Sequence, residues 1–186
     1  LGMRRDGSSL FAPNKKWGNF PSLALGWNLG NENFLKDLSV LSQFKVRASY
    51  GMLGNNNIDP YKYQSTISTG NGTETTIGNP FITWEKIGIL DIGTDISLFE
   101  KQLDLTFDWY DKRTKDLILT PQPTLTSALL TAPINIGSVK NIGWEVKVGY
   151  NKELSEHSNF SVNVGYSKNR SEWTQLSQET PIVSGN

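Results

Sequence analysis

Asp91, Asp95, Asp104 and Asp108 are the residues of this 186-residue chain whose type and spacing come nearest to catalytic machinery. Paired carboxylates cleave glycosidic bonds when one protonates the leaving oxygen and the other attacks or activates water, at separations of about 5 to 9.5 Å. The four aspartates lie within runs that alternate apolar and polar residues, which is strand patterning. Asp91 and Asp95, four residues apart on one strand, would stand about 13 Å from each other. Pairing the two runs across a tight turn sets Asp95 opposite Thr106, Asp104 opposite Ser97 and Asp108 opposite Gly93. No convincing catalytic pair results, and the aspartates read as solvated groups on a polar face.

Other chemistries fall away faster. The chain has no cysteine, which removes disulfides, thiolate metal sites and Cys nucleophiles together. Its one histidine, His157, lies in the polar turn KELSEHSN, so sites needing two or three His ligands are out. No phosphate-cradling glycine loop, EF-hand or Ser/His/Asp arrangement is present. Eighteen Lys plus Arg balance eighteen Asp plus Glu, whereas a binder of nucleic-acid phosphates is normally basic. Arg4, Arg5 and the Asp6-Gly7 pair read as a loop with a turn. Asn71-Gly72-Thr73 and Asn169-Arg170-Ser171 fit the N-glycosylation pattern and carry no weight here. No catalytic, metal or cofactor residue is assigned.

The elements that would position these residues are strands. In 86–98, Leu90, Ile92, Thr94, Ile96 and Leu98 share one face, and Asp91, Gly93, Asp95 and Ser97 the other. In 103–115, Leu103, Leu105, Phe107 and Trp109 oppose Asp104, Thr106, Asp108 and Tyr110. A turn over 99–102 makes the two a hairpin in which apolar meets apolar and polar meets polar. A slip of one residue would scramble both faces. The pattern recurs near 19–29, 44–51, 141–150 and 160–169, giving six expected strands. Phe44, Val46, Ala48 and Tyr50 oppose Lys45, Arg47 and Ser49; Trp144, Val146, Val148 and Tyr150 oppose Glu145, Lys147 and Gly149; Val162 and Val164 oppose Asn163 and Gly165. A short helical turn is expected near 34–38.

Connections of unequal length separate the strands. The long ones, 52–85 and 116–139, fall on one side of an antiparallel meander and the shorter turns on the other. Loop 52–85 is rich in Asn, Gly, Thr and Tyr, which suits either sugar recognition or plain solvation. No stretch of eighteen apolar residues forms a membrane helix, but alternating membrane strands escape that test. Two architectures fit the alternation. One is a soluble β-sandwich for binding or adhesion, with the apolar face inside. The other is the wall of an outer-membrane barrel, with the apolar face in lipid. Strands of ten or more residues and aromatics near strand ends favour the barrel.

The residues also resemble a family. The stretches RRDGSSLFAPNKKWGNFPSLALGWNLGNENFLKD (4–37), FKVRASYGMLGNNNI (44–58) and ITWEKIGILDIGTDISLFEKQLDLTFDWYDKRTKDLIL (82–119) resemble the SusC/RagA-type TonB-dependent outer-membrane transporters. So do PINIGSVKNIGWEVKVGYN (133–151) and FSVNVGYSKNRSE (160–172). The resemblance implies an all-β, antiparallel up-and-down meander, an internal piece of the later part of a barrel of about 22 strands. The plug domain and TonB box of that family are not within 1–186. It further implies import of an oligosaccharide or peptide, a SusD-like surface lipoprotein as lid, and energy from the TonB complex acting through the N-terminal parts. Transporter and lid pair as dimers in this family, and no cofactor or chemistry is implied. On this reading Leu90, Ile92, Ile96, Leu98, Leu103, Leu105, Phe107, Trp109, Trp144, Val146, Val148, Val162 and Val164 face lipid. Arg47, Asp91, Asp95, Asp104 and Asp108 face the lumen and are the candidate ligand contacts.

Overall fold

The computed structural model describes all residues except 68–69, 71–73, 122–129 and 176–186. Twelve strands occur among the described residues: β1 (Gly2–Gly7), β2 (Trp17–Asn28), β3 (Leu41–Asn55), β4 (Thr66–Ile67), β5 (Glu74–Ile77), β6 (Glu85–Leu98), β7 (Leu103–Lys115), β8 (Ile118–Leu119), β9 (Leu130–Thr131), β10 (Ile134–Asn135), β11 (Ser138–Ser155) and β12 (Ser158–Gln175). Seven of them form one antiparallel sheet in the order β1-β2-β3-β6-β7-β11-β12. The long strands therefore follow the chain as an up-and-down meander, with the short ladders confined to the long connections.

The hairpin β6–β7 adopts the register that its two faces demand. Leu98 pairs with Leu103, Ile96 with Leu105, Thr94 with Phe107 and Ile92 with Trp109. The four-residue turn between them is tight. Phe99, Glu100 and Lys101 all take left-handed backbone angles, with φ of 53°, 56° and 67°. The neighbouring connection holds this turn: Phe99 N–H donates to the Val40 carbonyl at 2.8 Å and Lys101 N–H to Ser42 Oγ at 3.2 Å.

Three expectations are corrected. Arg4, Arg5, Asp6 and Gly7 belong to a strand, not a loop: Gly2–Gly7 pairs residue by residue with Ser22–Trp17. The hexapeptide GMRRDG has no apolar face of its own, so its strand is induced by the ladder that β2 offers. Its cations rest on aromatic faces, Arg4 at 5.5 Å from the Phe20 ring centre and Arg5 at 4.9 Å from that of Trp17. The sheet therefore has seven long strands where periodicity suggested six. The hairpin β11–β12 also outruns its alternating segments, each strand reaching 18 residues around a turn at 156–157 that carries His157. Backbone pairing continues past the apolar residues because ladder hydrogen bonds need no apolar side chain. In the 29–40 connection the helical character sits slightly early, as a 3₁₀ turn at Leu29–Asn31 and a Lys36 N–H bond to the Glu32 carbonyl at 2.9 Å.

The core is not where a sandwich would put it. Among the described residues the buried apolar ones are Phe11, Ala12, Phe20, Ile82, Trp84 and Ala132, and of these only Phe20 lies on a long strand. No second sheet packs across the long one among the described residues. The apolar strand residues instead form a continuous exposed surface; Leu25, Val164 and Tyr166 are all more than 60% exposed. That rules out the sandwich, whose apolar faces must bury each other.

Candidate functional site: the polar face and the loop end

The ladder registers define each face in rows. One apolar row runs Phe44, Ile96, Leu105, Val148 and Val164 across five strands. The next runs Trp27, Val46, Thr94, Phe107, Val146 and Tyr166. A third runs Leu25, Ala48, Ile92, Trp109 and Trp144, and Leu90 joins the row above it. Leu98, Leu103 and Val162 complete the row below them. All thirteen residues expected on the apolar face thus share one side of the sheet. On β11, Ile142, Trp144, Val146, Val148 and Tyr150 occupy about 27 Å of strand, or about 20 Å of height at a barrel tilt of about 40°.

The opposite face carries a charged cluster centred on Arg47. Its ladder partner is Gly93, which leaves room for the guanidinium to cross β6. A Cβ at Gly93 would collide with Asp108 Oδ1 and come within 2.7 Å of Arg47 Cζ. Across this gap Arg47 Nε donates to Asp95 Oδ2 at 3.1 Å, Nη2 lies 2.6 Å from Asp108 Oδ1 and Nη1 3.6 Å from Asp91 Oδ1. Asp108 Oδ1 is sealed from solvent and meets the guanidinium as an ion-pair contact rather than an aligned hydrogen bond. One guanidinium against three carboxylates leaves the quartet formally two negative. Thr106 Oγ1 donates to Asp95 Oδ1 at 3.3 Å and extends the network onto β7.

Four of the five polar candidates are therefore joined, and the fifth is not. Asp104 accepts from Ser97 Oγ at 2.6 Å, one row away. The aspartates are not solvated singly, as their spacing suggested. Asp91 and Asp95 are far apart along β6, but an arginine on the adjacent strand at the intermediate level reaches both. Alternation could place Arg47 on this face; only the register of β3 on β6 could place it beside Gly93.

A groove of about 400 Å³ that periodicity does not single out adjoins this network. Asp104, Thr106, Lys147 and Asn163 stand around it, and Gly149 and Gly165 form its floor. Lys147 pairs with Gly165 and Gly149 with Asn163, so each glycine leaves a gap beside a polar partner. The signal in the sequence was the glycine inside each alternating run, where a strand position without a side chain permits close approach of a ligand.

The long connections meet at one end of the sheet. Phe11, Phe20, Ile82 and Trp84 form a cluster there, with Trp84 5.3 Å from Phe11 and 5.6 Å from Phe20 between ring centres. Trp84 Nε1 donates to the Lys16 carbonyl at 3.0 Å. Asparagines bind the segments together. The Asn135 amide donates to the carbonyls of Thr83 and Asp116 and accepts from Thr83 N–H, each at 2.8 Å. Asn79 donates to the Pro133 carbonyl and Asn56 to Ser8 Oγ, both at 3.0 Å. Strand β5 pairs in parallel with β9, joining the two long loops directly. The amides that suggested sugar recognition or solvation here brace loop against loop; the segment Asn71-Gly72-Thr73 lies outside the described residues.

Comparison with known proteins agrees with this geometry. The family model described as TonB dependent receptor-like, beta-barrel matches residues 1–186. TonB-dependent receptor P39 of Formosa agariphila is 34% identical over 98% of this chain and 18% of its own length. TonB-dependent receptor SusC of Bacteroides thetaiotaomicron is 32% identical over 94% of this chain and 19% of its own length. Among solved structures, the RagAB peptide importer in its closed-closed state superposes with a TM-score of 0.85 at 26% identity, over 94% of this chain and 20% of that one. The chain thus spans about a fifth of the relatives it matches.

Proposed function

This chain belongs to the TonB dependent receptor-like β-barrel family, and we propose that it is part of the barrel wall of an outer-membrane nutrient importer. The observation that carries this is the two-faced sheet: largely apolar rows on one side, a half-buried charge network and a groove on the other. The apolar face meets lipid through the residues from Leu90 to Val164 named above. The polar face, with Arg47, Asp91, Asp95, Asp104 and Asp108, lines the passage. The seven strands cannot close alone, since open sheet edges do not survive in lipid. They take their place in a barrel of about 22 strands, closed by the remaining sequence of a longer parent chain.

The imported nutrient is an oligosaccharide or a peptide. A solved relative is a peptide importer, and a lumen offering carboxylates, a lysine and amides suits a polar chain of either kind. The braced loop end receives a SusD-like lipoprotein lid, and parts outside this chain couple to the TonB complex. Transporter and lid assemble as a dimer of pairs. In this mechanism the chain performs no bond chemistry: it presents a fixed, hydrated wall past which ligand moves.

The test is fractionation and uptake. The parent protein should sediment with the outer membrane and co-purify with a lipoprotein. Its deletion should abolish growth on either defined oligosaccharides or defined peptides as sole nutrient, while TonB loss has the same effect. Recovery of the parent chain in the soluble fraction would sink the proposal.

A further inference from the structure

The groove on the polar face holds two opposite charges apart. Asp104 pairs with Gly149 and Thr106 with Lys147, so Asp104 on β7 and Lys147 on β11 are diagonal neighbours. Such neighbours lie about 7–8 Å apart, within reach of a long side chain. The two nevertheless turn away from each other. Asp104 Oδ1 accepts from Ser97 Oγ on β6 at 2.6 Å. The Lys147 stem lies along Gly165 on β12, its Cγ 3.8 Å from where a Cβ of that glycine would stand. Among the described residues Lys147 has no ion pair or hydrogen bond, Asp104 Oδ2 has no partner, and the Asn163 amide makes no hydrogen bond. Three other carboxylates are near. Asp95 lies in the row of Lys147 two strands away, and Asp108 and Glu145 lie one row toward the loop end. Arg47 holds Asp95 and Asp108, and Glu145 does not line the groove.

The space between the two charges is the groove of about 400 Å³. Gly149 and Gly165 let a ligand approach the main chain of its floor. None of its lining residues is aromatic. The inward ring of β7, Tyr110, lies two rows away and is folded over Gly143, its hydroxyl 2.5 Å from where a Cβ would stand. A neutral sugar would therefore find no ring to stack on here and would leave both Asp104 and Lys147 without a counter-charge. A ligand with a cation at one end and an anion at the other satisfies both. Asp104 leans toward β6 and Lys147 toward β12, three strand spacings apart, so the two charges are separated by about 8 to 14 Å. An extended peptide advances about 3.3–3.6 Å per residue, so about two to four residues bridge that distance.

We infer that this groove is a subsite for short peptides with free ends. The terminal ammonium meets the Asp104 carboxylate and the terminal carboxylate meets the Lys147 ammonium, both as charge-assisted hydrogen bonds. The main chain lies along Gly149, and the Asn163 amide meets a peptide group. The groove lies nearer the turn end of the sheet than the Arg47 network does, so a ligand entering from the loop end reaches it late. The inference rests on the importer reading above and narrows its nutrient from oligosaccharide or peptide to peptide.

The test is titration calorimetry of the full-length parent protein in detergent with trialanine, N-acetyl-trialanine, trialanine amide and maltotriose. The wild type should bind trialanine at least 10-fold more tightly than either blocked peptide. Asp104→Asn should erase the discrimination against the acetylated peptide and keep that against the amide; Lys147→Met should do the reverse. Lys112→Met, which removes the same charge from the same face three rows toward the loop end, should keep both. Equal binding of the three peptides by the wild type overturns the inference, and this comparison needs no variant to fold. Unchanged discrimination in both groove variants overturns the groove as the site. Binding of maltotriose in preference to trialanine, lost in Lys147→Met, overturns the peptide in favour of a sugar. A parent protein that fractionates with the outer membrane and ignores the peptide ends defeats this inference alone, whereas recovery in the soluble fraction defeats the importer reading with it.

Discussion

Phe107 and Thr106 are adjacent in sequence and lie on opposite faces of β7, so a lysine at each position tests the assignment of faces within one peptide unit. Phe107 pairs with Thr94 and Val146 in the row that runs from Trp27 to Tyr166. Val146 is the middle of the five outward apolar residues of β11, which puts Phe107 near the centre of the apolar band. A lysine at the bilayer midplane costs about 2–4 kcal/mol, falling to about 0–1 near the interfaces. Thr106 pairs instead with Asp95 and Lys147 and donates to Asp95 at 3.3 Å. A lysine there loses one modest hydrogen bond, worth about 0.5–1.5 kcal/mol, and stands between the Asp95 carboxylate and the Lys147 ammonium, whose effects on it oppose each other. The expected difference between Phe107→Lys and Thr106→Lys is about 2–3 kcal/mol, or about 30- to 150-fold in the folding equilibrium. Phe107→Ala controls for lost ring contact without a charge. The assay is urea unfolding of the full-length protein in lipid vesicles, alongside its level in the outer membrane. Equal tolerance of both lysines, or greater damage from Thr106→Lys, refutes the assignment of faces.

The remaining predictions concern the polar face, the loop end and the turn. Arg47→Met should destabilise the folded barrel by about 1–3 kcal/mol, between exposed and buried ion-pair values, since it strands three carboxylates; adding Asp108→Asn should recover part of the loss in a double-mutant cycle. Trp84→Ala should cost about 3–5 kcal/mol and speed hydrogen exchange in the segments around Lys16 and Ile82, with β11 unaffected. Glu100→Gly should raise the unfolding midpoint by relieving a left-handed residue, a gain of about 1 kcal/mol.

The strand pattern was legible wherever one face differed from the other. The β6–β7 register follows from alternation because any slip exposes apolar side chains on the polar face. Strand β1 was not legible, since GMRRDG has no such contrast and becomes a strand only on the edge of β2. The extra length of β11 and β12 was hidden for the same reason: the ladder persists where the side chains are polar on both faces. The role of the loop asparagines was equally invisible, because an amide that braces a neighbouring loop and one that greets a sugar have the same local sequence.

What the sequence by itself determined is the two-sidedness of the wall, its hairpin register and the family to which it belongs. These rest on contrast between neighbouring residues, and one strand carries that contrast alone. Which polar groups meet was decided by the tertiary structure. Arg47 reaches Asp91, Asp95 and Asp108 only because β3 lies on β6 with Arg47 against Gly93, a register between strands separated by the long loop. At the loop end Lys86 faces Lys115 and Lys140 faces Glu172 in the same way, through the registers of β6 on β7 and β11 on β12. Contacts across a ladder depend on relative register, and register is a property of paired strands rather than of any single stretch of chain.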